Sequence, residues 1–475
     1  MDLRGFFVAG RASTGREEFG VTNSFDGRVV ARVSVPTAEQ VGEAVAAAHD
    51  VRHAAAGLPA HVRAAALDHV SRRLSERAEE IAQVITAENG KPITWSRGEA
   101  GRAVSVFRLA AEEARRFGGE LQRLDTDPGG TGRMAVIRRF PHGPVLAITP
   151  FNFPLNLVAH KVAPAIAAGA PVIVKPAPAT PVSSLILGEI LAETDLPAGM
   201  FSVLPIPNDR ASELVEDPRL PVVSFTGSGP VGYAIQRRVP GKKVVLELGG
   251  NAAAVVLADA DLDHAAARIA TFANYQGGQS CISVQRVYAE RAVYEALRDK
   301  VVAAVAALPT GDPLDDKTQV GPLVDEKAAK RVETWVNEAV DGGATVLTGG
   351  TRDGATYAPT VLADVPEDAK VTREEVFGPV LVIAPVDDTG AAFAKVNDSR
   401  FGLQAGVFTR DLASAFRAHS ELEVGGVVIN DAPSYRADQM PYGGVKESGV
   451  GREGVHSAML DFTYERVLVL TGLTL

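Results

Sequence analysis

The chain has 475 residues, of which 46% are hydrophobic and 22% are charged, and its net charge is −10. This length exceeds what one compact core accommodates, so we expect two or three domains. The negative charge argues against a nucleic-acid partner, because phosphate binding needs a clustered basic face. The longest apolar run, residues 162–174, is too short to cross a membrane and contains two prolines and a glycine. We therefore expect no membrane association.

The single cysteine, Cys281, bears on the cellular compartment. One cysteine cannot form an internal disulfide, which suits a reducing environment. The first residues, MDLRGFFVAGRAS, carry an early acid and no sustained apolar core, so they lack the pattern of a signal peptide. We therefore predict a soluble, cytoplasmic protein.

The N-terminal part of the chain is predicted to be mainly helical, with one hairpin. Residues 38–118 are rich in Ala, Glu and Arg, and their apolar side chains recur at helical spacing. In residues 123–141 the pattern changes, because a Pro-Gly-Gly turn separates two short strand-like runs. These runs predict a β-hairpin after the helices.

From Pro144 to Gly250, apolar strands alternate with helical stretches. Such alternation predicts a parallel sheet with helices on both faces, a common frame for nucleotide binding. A second alternating region covers about 251–431 and contains Cys281. The tail, 462–470, is rich in β-forming residues and is free to pair with another element, including one of a neighbouring subunit. The predicted strands of the first region are 145–149, 171–175, 200–204, 221–225 and 242–248.

A glycine-rich turn, FTGSGPVG, places Gly227, Gly229 and Gly232 in the spacing G-x-G-x-x-G. It follows a predicted strand and opens a predicted helix, so it indicates either a pyrophosphate site at the helix N-terminus or a structural turn. Glu247 lies about 20 residues after Gly227, where this motif carries a ribose-binding acid. However, Glu247 also ends a strand just before two glycines, a position that exposes a carboxylate in a cleft. The sequence leaves both interpretations open.

Cys281 ends the stretch YQGGQSC. A lone cysteine is usually a small buried apolar residue, but three features favour a catalytic role here. Gly277 and Gly278 remove side chains just ahead of the thiol, which predicts close approach of a ligand to the backbone. Glu247 offers a carboxylate base. Asn152, in TPFNFP after a predicted strand, offers an amide donor for the oxyanion that thiolate attack on a carbonyl creates.

Seven motifs together resemble the NAD(P)-dependent aldehyde dehydrogenase superfamily. They occur in the order of that family between residues 149 and 454, the separation of Glu247 and Cys281 also matches, and the length fits end to end. The motifs are TPFNFP, KPAPATP, FTGSGPVG, ELGGN, GQSC, EEVFGP and PYGGVKESGVGREG.

The resemblance implies an α/β fold with three parts: a Rossmann-like cofactor domain, a second α/β domain that carries the catalytic thiol, and a small β oligomerisation element. An exposed strand edge in such an element predicts a homodimer or homotetramer, because unpaired edges are rarely left bare. The implied boundaries are 1–122 and 142–248 for the cofactor domain, 249–445 for the catalytic domain, and 123–141 with 460–475 for the oligomerisation element.

The resemblance also assigns the catalytic roles. It implies that the Cys281 thiolate adds to an aldehyde, giving a thiohemiacetal and then a thioester, while Asn152 and the Cys281 N–H hold the oxyanion. Glu247 would activate the water that hydrolyses the thioester, so the resemblance favours catalysis over ribose binding and a free acid over a coenzyme A ester as product. The residues implied to contact NAD or NADP are Thr149, Pro150, Phe151, Lys175, Gly227, Ser228, Gly232, Glu375 and Phe377.

One departure from the family pattern concerns the choice of cofactor. Members that strongly prefer NAD often carry an acid three residues after the lysine that corresponds to Lys175. Pro178 occupies that position here, so a 2′-phosphate meets less repulsion. Both NAD and NADP stay open.

Three stretches, LVAHK, CISVQR and SYRADQMPYGG, resemble the branch that acts on short polar aldehydes. That branch includes phosphonoacetaldehyde, sulfolactaldehyde, lactaldehyde and glyceraldehyde-3-phosphate dehydrogenases. It implies that His160, Arg286 and Arg436, assisted by Arg102, bind an anionic tail, since a guanidinium can donate two bonds to such a group. For each arginine the alternative is structural ion pairing, and a neutral short aldehyde is the alternative substrate.

Two function classes without redox chemistry also stay open. The first is a thiol esterase that uses Cys281 and Glu247, and the second is a catalytically silent binding protein on the same scaffold. His49 and His53 have the spacing of a metal pair on a helix, but no third ligand accompanies them, so no metal site is predicted.

Overall fold

The structure is a computed structural model and describes residues 3–474. Its strands are β1 Leu3–Arg4, β2 Phe6–Val8, β3 Arg11–Ser13, β4 Glu17–Thr22, β5 Val29–Val35, β6 Glu120–Arg123, β7 Met134–Pro141, β8 Val145–Ile148, β9 Val172–Lys175, β10 Phe201–Val203, β11 Val222–Thr226, β12 Lys243–Glu247, β13 Ala253–Val256, β14 Arg286–Glu290, β15 Thr345–Thr348, β16 Arg352–Asp353, β17 Thr356–Tyr357, β18 Thr360–Ala363, β19 Val380–Val386, β20 Phe401–Gly402, β21 Gln404–Phe408, β22 Gly426–Ile429, β23 Val445–Lys446, β24 Gly449–Val450 and β25 Thr463–Leu470. Its helices are α1 Ala38–Gly57, α2 Ala60–Glu76, α3 Ala78–Asn89, α4 Ile93–Arg116, α5 Asn156–Ala168, α6 Val182–Ala192, α7 Ala211–Glu216, α8 Gly229–Arg238, α9 Leu262–Asn274, α10 Arg291–Ala306, α11 Glu326–Asp341, α12 Lys370–Arg373, α13 Thr389–Asn397, α14 Leu412–Glu421 and α15 Val455–Asp461.

The first large sheet has eight strands in the order β24-β12-β11-β8-β9-β10-β2-β3. Its five central strands, β12 to β10, run parallel, and each corresponds to one of the five strands predicted from sequence. Every residue of β8 and β9 is buried, as expected for parallel strands covered on both faces. Strand order reverses between β8 and β11, and the crevice at such a point is where open α/β sheets bind ligands.

Helices form from residue 38 onward, as the helical spacing predicts. Thr37 and Gln40 form a reciprocal capping box that starts α1. Helix α4 buries Ala103, Phe107 and Ala110, which recur every three or four residues along one face. That face joins the apolar core shared by α2, α5 and the first sheet.

The second large sheet has seven strands in the order β15-β18-β19-β14-β13-β21-β22. All neighbouring pairs are parallel except β15 with β18. This sheet contains the second alternating region predicted from sequence. Cys281 lies in the connection between α9 and β14, close to the start of a central strand.

The two sheets are joined by the segment 434–453, which we call the crossing segment. Its strand β23 pairs with β20, whereas β24 pairs with β12 at the edge of the first sheet. The crossing segment therefore brings residues that follow the second sheet against the end of the first.

A separate three-stranded sheet has the order β25-β7-β6. The hairpin predicted within 123–141 is confirmed, since β6 and β7 pair antiparallel, although β6 starts at Glu120. Strand β25 pairs with β7 over eight residue pairs, from Thr463 with Pro141 to Leu470 with Met134. The chain beyond residue 460 thus returns to the hairpin, and β25 leaves one edge of this sheet open.

In the part of the chain that the structure describes, no helix combines the length and the apolar character that a membrane crossing requires.

Candidate active site

A cavity of about 1200 Å³ is lined by residues from both large sheets. We call the part lined by Lys175 and Asn208 the lysine region, and the part lined by Cys281, Glu247 and Arg436 the thiol region. Most of the side chains predicted from sequence to form the site lie on its wall. These are Arg102, Thr149, Pro150, Phe151, Asn152, Lys175, Gly227, Ser228, Glu247, Cys281, Glu375, Phe377 and Arg436.

Strand ends place four of these residues. Thr149 follows β8 directly, Lys175 ends β9, Gly227 follows β11 and Glu247 ends β12. Because parallel strands present their carboxyl ends at one edge of the sheet, side chains distant in sequence meet at this edge. The predicted strand-to-turn motifs therefore converge in one cavity.

The loop before Cys281 has an unusual backbone. Gln276, Gly277 and Gly278 have φ values of 56°, 63° and 70°, in the left-handed region that favours glycine. A Cβ on Gly278 would lie 2.1 Å from the carbonyl oxygen of Gly378, and one on Gly277 would lie 3.2 Å from Leu323. Gly277 and Gly278 therefore make room for neighbouring segments of the protein. The prediction that they allow a ligand to approach the backbone was wrong.

The Cys281 thiol is held by a residue for which the sequence suggested no role. The Sγ atom of Cys281 lies 3.0 Å from the hydroxyl oxygen of Tyr442 in the crossing segment. Burial raises the pKa of the Cys281 thiol to about 12, and the Tyr442 hydrogen bond opposes that rise. The guanidinium of Arg436 lies 3.9 Å from the centre of the Tyr442 ring. The thiol region thus needs added stabilisation to hold a thiolate.

Asn152 is fixed beside the thiol loop. Its side-chain amide donates to the carbonyl oxygen of Gln279 over 2.9 Å, and Gln276 donates to the backbone oxygen of Asn152. An amide NH₂ has two hydrogens, so one stays free to donate into the cavity. Asn152 is therefore placed to bind an oxygen of a substrate attached to Cys281.

Glu247 is buried without a hydrogen-bond partner on either carboxylate oxygen among the described residues. Burial, followed by repulsion from Glu453, raises the pKa of Glu247 well above its ordinary value. A Cβ on Gly443 would lie 2.8 Å from its Oε1, so that glycine allows the crossing segment to approach the carboxyl. A carboxyl with a raised pKa and free lone pairs suits general-base chemistry near neutral pH.

Three buried charges surround Glu247, and the sequence drew attention to only one of them, Arg436. Glu453 accepts from Lys161 over 2.8 Å and from Arg436 over 3.0 Å. Although burial alone would raise it, these cations lower the pKa of Glu453 far below its usual range. Glu453 is therefore ionised, which disfavours a second negative charge on Glu247.

The lysine region suits an anionic ligand. Lys175 is almost fully buried, and burial lowers its pKa to about 8. Its Nζ donates to the side chain of Asn208. Ser228 is the N-cap of α8 but makes no side-chain cap bond, which leaves its hydroxyl and the N–H groups of Gly229 and Val231 available to phosphate, while Pro230 has no N–H.

Within the glycine motif, Gly232 packs against the protein interior rather than lining the cavity. Gly232 does not line the cavity, because it faces Leu248, whose Cδ2 would lie 2.5 Å from an added Cβ. A Cβ on Gly227 would lie 2.6 Å from the ring of Phe225, whereas one on Gly229 would meet open space. The predicted cofactor contact of Gly232 is thus replaced by a role in seating α8.

Glu375 and Phe377 line the cavity from the connection between α12 and β19. Glu375 accepts from the backbone N–H of Gly250 over 3.1 Å, and burial raises its pKa to about 7. Phe377 packs edge-on against Phe151, with ring centres 5.8 Å apart and planes at 83°. The two residues predicted to act as a pair therefore share one wall of the cavity.

Two of the four residues predicted to bind the substrate reach the cavity. Arg102 bonds Asp438 over 2.7 Å, and Arg436 faces the thiol region. His160 does not line the cavity and instead contacts Asp438 over 3.2 Å. Burial lowers the pKa of His160 to about 4, so its ring is neutral near pH 7.

Arg286 also lies away from the cavity. Its guanidinium donates to the backbone oxygens of Asn251 over 2.8 Å, of Lys395 over 3.1 Å and of Val396 over 3.3 Å. The expectation that Arg286 meets the substrate is therefore corrected. Its role is structural, through backbone carbonyls rather than through the carboxylate partner that was the alternative.

Comparison with known proteins identifies the family to which the chain belongs. A sequence model of the aldehyde dehydrogenase family matches residues 11–468. The 3-sulfolactaldehyde dehydrogenase of Priestia aryabhattai is 44% identical over 467 residues, which cover 98% of each chain. Aldehyde dehydrogenase 21 of Physcomitrella patens, solved with its reaction product succinate, is 45% identical with a TM-score of 0.97, covering 99% of this chain and 98% of that one.

A further solved structure is the NADP-dependent glyceraldehyde-3-phosphate dehydrogenase of Bacillus halodurans, complexed with NADP. It is 35% identical, with a TM-score of 0.95, and covers 99% of this chain and 100% of its own. The matches span nearly the whole sequence, and they confirm the predicted fold and enzyme class. The chain belongs to the aldehyde dehydrogenase family and is an oxidoreductase that acts on aldehydes.

Proposed function

We propose that the protein oxidises a small anionic aldehyde to its carboxylic acid, with NAD or NADP as hydride acceptor. The observation that carries this proposal is the presence of Cys281, Asn152, Glu247 and Arg436 on the wall of one cavity. The first three supply a nucleophile, an amide donor and a base, and the fourth supplies a buried cation.

The first step uses the thiol region. The Cys281 sulfur bonds to the aldehyde carbon, and the carbonyl oxygen takes up the electron pair. The free amide hydrogen of Asn152 and the backbone N–H of Cys281 donate to that oxygen, which lowers the free energy of the charged adduct. When bound, the nicotinamide ring supplies the acceptor for the hydride that the adduct carbon must lose.

The second step releases the acid. Glu247 takes a proton from water, the water oxygen bonds to the thioester carbon, and the carbon–sulfur bond breaks to return the Cys281 thiolate. The raised pKa of Glu247 supports this role, because a base with a pKa nearer to neutrality binds the transferred proton more strongly than an ordinary carboxylate. Water is the acyl acceptor, so the product is a free acid.

The cavity also supports the choice of an anionic aldehyde. The Nε–H of Arg436 has no hydrogen-bond partner among the described residues, although this side chain is buried. Arg102 lies on the same cavity wall with one of its terminal nitrogens not bonded to Asp438. A sulfonate, phosphate or carboxylate can accept from both guanidinium groups. A relative named for 3-sulfolactaldehyde agrees with this substrate class.

The lysine region fits a dinucleotide but does not distinguish NAD from NADP. Lys175, Ser228 and the N-terminus of α8 can hold phosphate and ribose oxygens, and Glu375 can accept from ribose hydroxyls near the thiol. Pro178 provides no carboxylate that would repel a 2′-phosphate. The solved NADP complex of a relative supports use of NADP, and NAD remains an equal prediction.

We also propose that the protein is a homodimer or homotetramer. Strands β22 and β25 each end a sheet, and the outer strand β25 exposes Val467, Leu468 and Val469 by about half of their surface. Open edges with apolar side chains favour pairing with another copy. Light scattering on the purified protein measures this, and a monomer at micromolar concentration would contradict it. The cytoplasmic location stays a prediction.

The experiment that tests the activity follows absorbance of the reduced nicotinamide. Short aldehydes that carry sulfonate, phosphate, phosphonate, carboxylate or no charge are offered with NAD and with NADP. We expect the anionic compounds to have the higher kcat/KM. A preference for neutral aldehydes would remove the anion proposal and leave the enzyme class intact. Reaction of thioesters or esters without any aldehyde oxidation would favour the esterase alternative.

A further inference from the structure

The contact between Tyr442 and Cys281 has no role in the steps above. The phenol oxygen lies 3.0 Å from Sγ, and it is the one side-chain hydrogen-bond partner that the thiol has among residues 3–474. Tyr442 is only 4% exposed, which limits competition from water for the phenol hydrogen. The contact is therefore a protected one between a strong donor and the reactive atom.

The direction of this hydrogen bond follows from the chemistry of the two groups. A neutral thiol can donate weakly, whereas a thiolate can only accept. Burial raises the pKa of Tyr442 well above its ordinary value, so the phenol keeps its proton across the working pH range. Once Cys281 ionises, the phenol must be the donor.

The surroundings of Tyr442 hold the phenol in place. Its backbone N–H donates to the Glu453 carbonyl over 2.9 Å, and the Glu453 N–H donates back over 2.6 Å. Arg436 lies over the ring, and its own guanidinium is fixed by the Glu453 carboxylate over 3.0 Å. A cation over an aromatic face is attracted to the ring, which restricts rotation of the side chain. The phenol is thus anchored by both its backbone and its ring.

The groups around Cys281 explain why its thiolate needs the Tyr442 hydroxyl as a hydrogen-bond donor. Burial disfavours a thiolate at Cys281, and the carboxyl groups of Glu375 and Glu247 disfavour it further. Only the Tyr442 hydrogen bond and the charge of Arg436 act in the opposite direction. Removal of the phenol oxygen would leave the Cys281 thiolate without a side-chain donor, which raises the free energy of the nucleophilic form.

We propose that Tyr442 is a catalytic residue whose hydroxyl donates a hydrogen bond to the Cys281 thiolate, and so sets both the fraction of thiolate and the position of the sulfur before attack. Its importance for aldehyde oxidation rests on the proposed function. The hydrogen bond itself can be tested without any aldehyde, because Cys281 is the sole cysteine of the chain.

The test measures alkylation of Cys281 by iodoacetamide as a function of pH, with mass spectrometry of the intact protein. In this reaction the thiolate sulfur bonds to carbon, iodide leaves and the thiol proton goes to the buffer. For Tyr442→Phe we expect about tenfold slower alkylation near neutral pH and a pH profile shifted upward by about one unit. A profile identical to that of the parent protein would overturn the proposal.

The matched control is Tyr275→Phe. Tyr275 lines the same cavity, but its hydroxyl bonds the Ser280 hydroxyl over 3.0 Å and not the sulfur. We expect this variant to keep the parental alkylation profile. An equal shift in both variants would overturn the specific role of Tyr442, because it would show that loss of any phenol in this cavity perturbs the thiol.

A second measurement covers the case in which Tyr442→Phe does not fold. Site-specific 3-fluorotyrosine at position 442 keeps the ring and makes the phenol a stronger donor. We expect faster alkylation at a given pH, and an unchanged rate would contradict the proposal. If the parental protein is alkylated at Cys281 but oxidises no aldehyde, the proposed function is contradicted and the Tyr442 proposal is not. Failure of the Tyr442 proposal can therefore be told apart from failure of the proposed function.

Discussion

The lysine region and the thiol region of the cavity are built in different ways. In the lysine region, Lys175 ends β9 and Ser228 caps the start of α8, so a strand or a helix places each of them directly. The thiol region depends on buried side chains that hold one another, with Arg436 and Lys161 on Glu453, and Tyr442 on Cys281. A change in the first should act on one ligand contact, whereas a change in the second should act on several groups together.

The largest expected effect comes from a substitution in the thiol region that should leave cofactor binding in the lysine region unchanged. Cys281→Ala removes the nucleophile, so aldehyde oxidation should fall by at least about 10⁴-fold. Binding of NAD or NADP, measured by calorimetry, should change less than about twofold, because the lysine region is untouched. Residual oxidation near the parental rate would show that the thiol is not the nucleophile.

Glu247→Gln tests the base at the thiol region. The amide keeps the shape of the carboxyl but cannot take a proton from water, so steady turnover should fall by about 10² to 10⁴-fold. Stopped-flow absorbance should show one equivalent of reduced cofactor per subunit, followed by a stall at the thioester. Steady turnover at the parental rate would remove Glu247 from this role.

The pH dependence gives an internal control for that variant. A raised pKa means that Glu247 is protonated, and therefore inactive as a base, at pH values where an ordinary glutamate is already ionised. Deacylation in the parent protein should rise with pH through this raised pKa. Single-turnover measurements of Glu247→Gln should lack that rise, and a retained rise would assign it to another group.

Substitutions of two arginines distinguish a residue on the cavity wall from one outside it. Arg436→Met removes the cation that the thiol region presents on the cavity wall, and kcat/KM for anionic aldehydes should fall by about 10 to 100-fold more than for neutral ones. Arg286→Met removes three bonds to backbone oxygens outside the cavity. It should lower the melting temperature and leave the ratio of anionic to neutral kcat/KM unchanged. A changed ratio for Arg286→Met would return that residue to the substrate site.

The smallest effect concerns two glycines of the same motif. Gly232→Ala places a Cβ 2.5 Å from Leu248, so the free energy of unfolding should fall by about 1 kcal/mol and α8 should shift. Gly229→Ala meets nothing within 4 Å and should be neutral or slightly stabilising. Denaturant titration of both variants checks this difference, and equal stabilities would contradict the packing role of Gly232.

The position of Lys175 could be predicted from sequence because strand ends are marked locally, but its role came only from the family resemblance, and its partner Asn208 was not predicted. Lys175 and Gly227 each stand at the end of an apolar strand, and strand ends in parallel sheets meet at one edge. The central strands, the helices and the hairpin with β7 were predictable for the same reason, since hydrophobic periodicity and turn residues act over short stretches.

The thiol region could be predicted only in part. Cys281, Glu247 and Asn152 were accessible through motifs, but the contact of Tyr442 with the thiol depends on a pairing across 161 positions of the chain. Arg286 was misplaced because an arginine that serves backbone carbonyls has the same sequence signal as one that serves a substrate. The direction of a side chain is set by packing, which no local pattern contains.

The backbone pairing of Tyr442 with Glu453 has a consequence for how new specificities arise. These main-chain hydrogen bonds join only the ends of the stretch 442–453, whereas the preceding stretch 434–440 is held by side chains, such as Ser434 on the Ile282 carbonyl oxygen and Arg436 on Glu453. A change of aldehyde specificity within this stretch therefore carries a cost in stability wherever the exchanged side chain also holds the backbone in place. A laboratory library for new substrates should therefore keep Ser434, Arg436 and Asp438 and vary the exposed Tyr435 and Gln439, where the risk to folding is smaller.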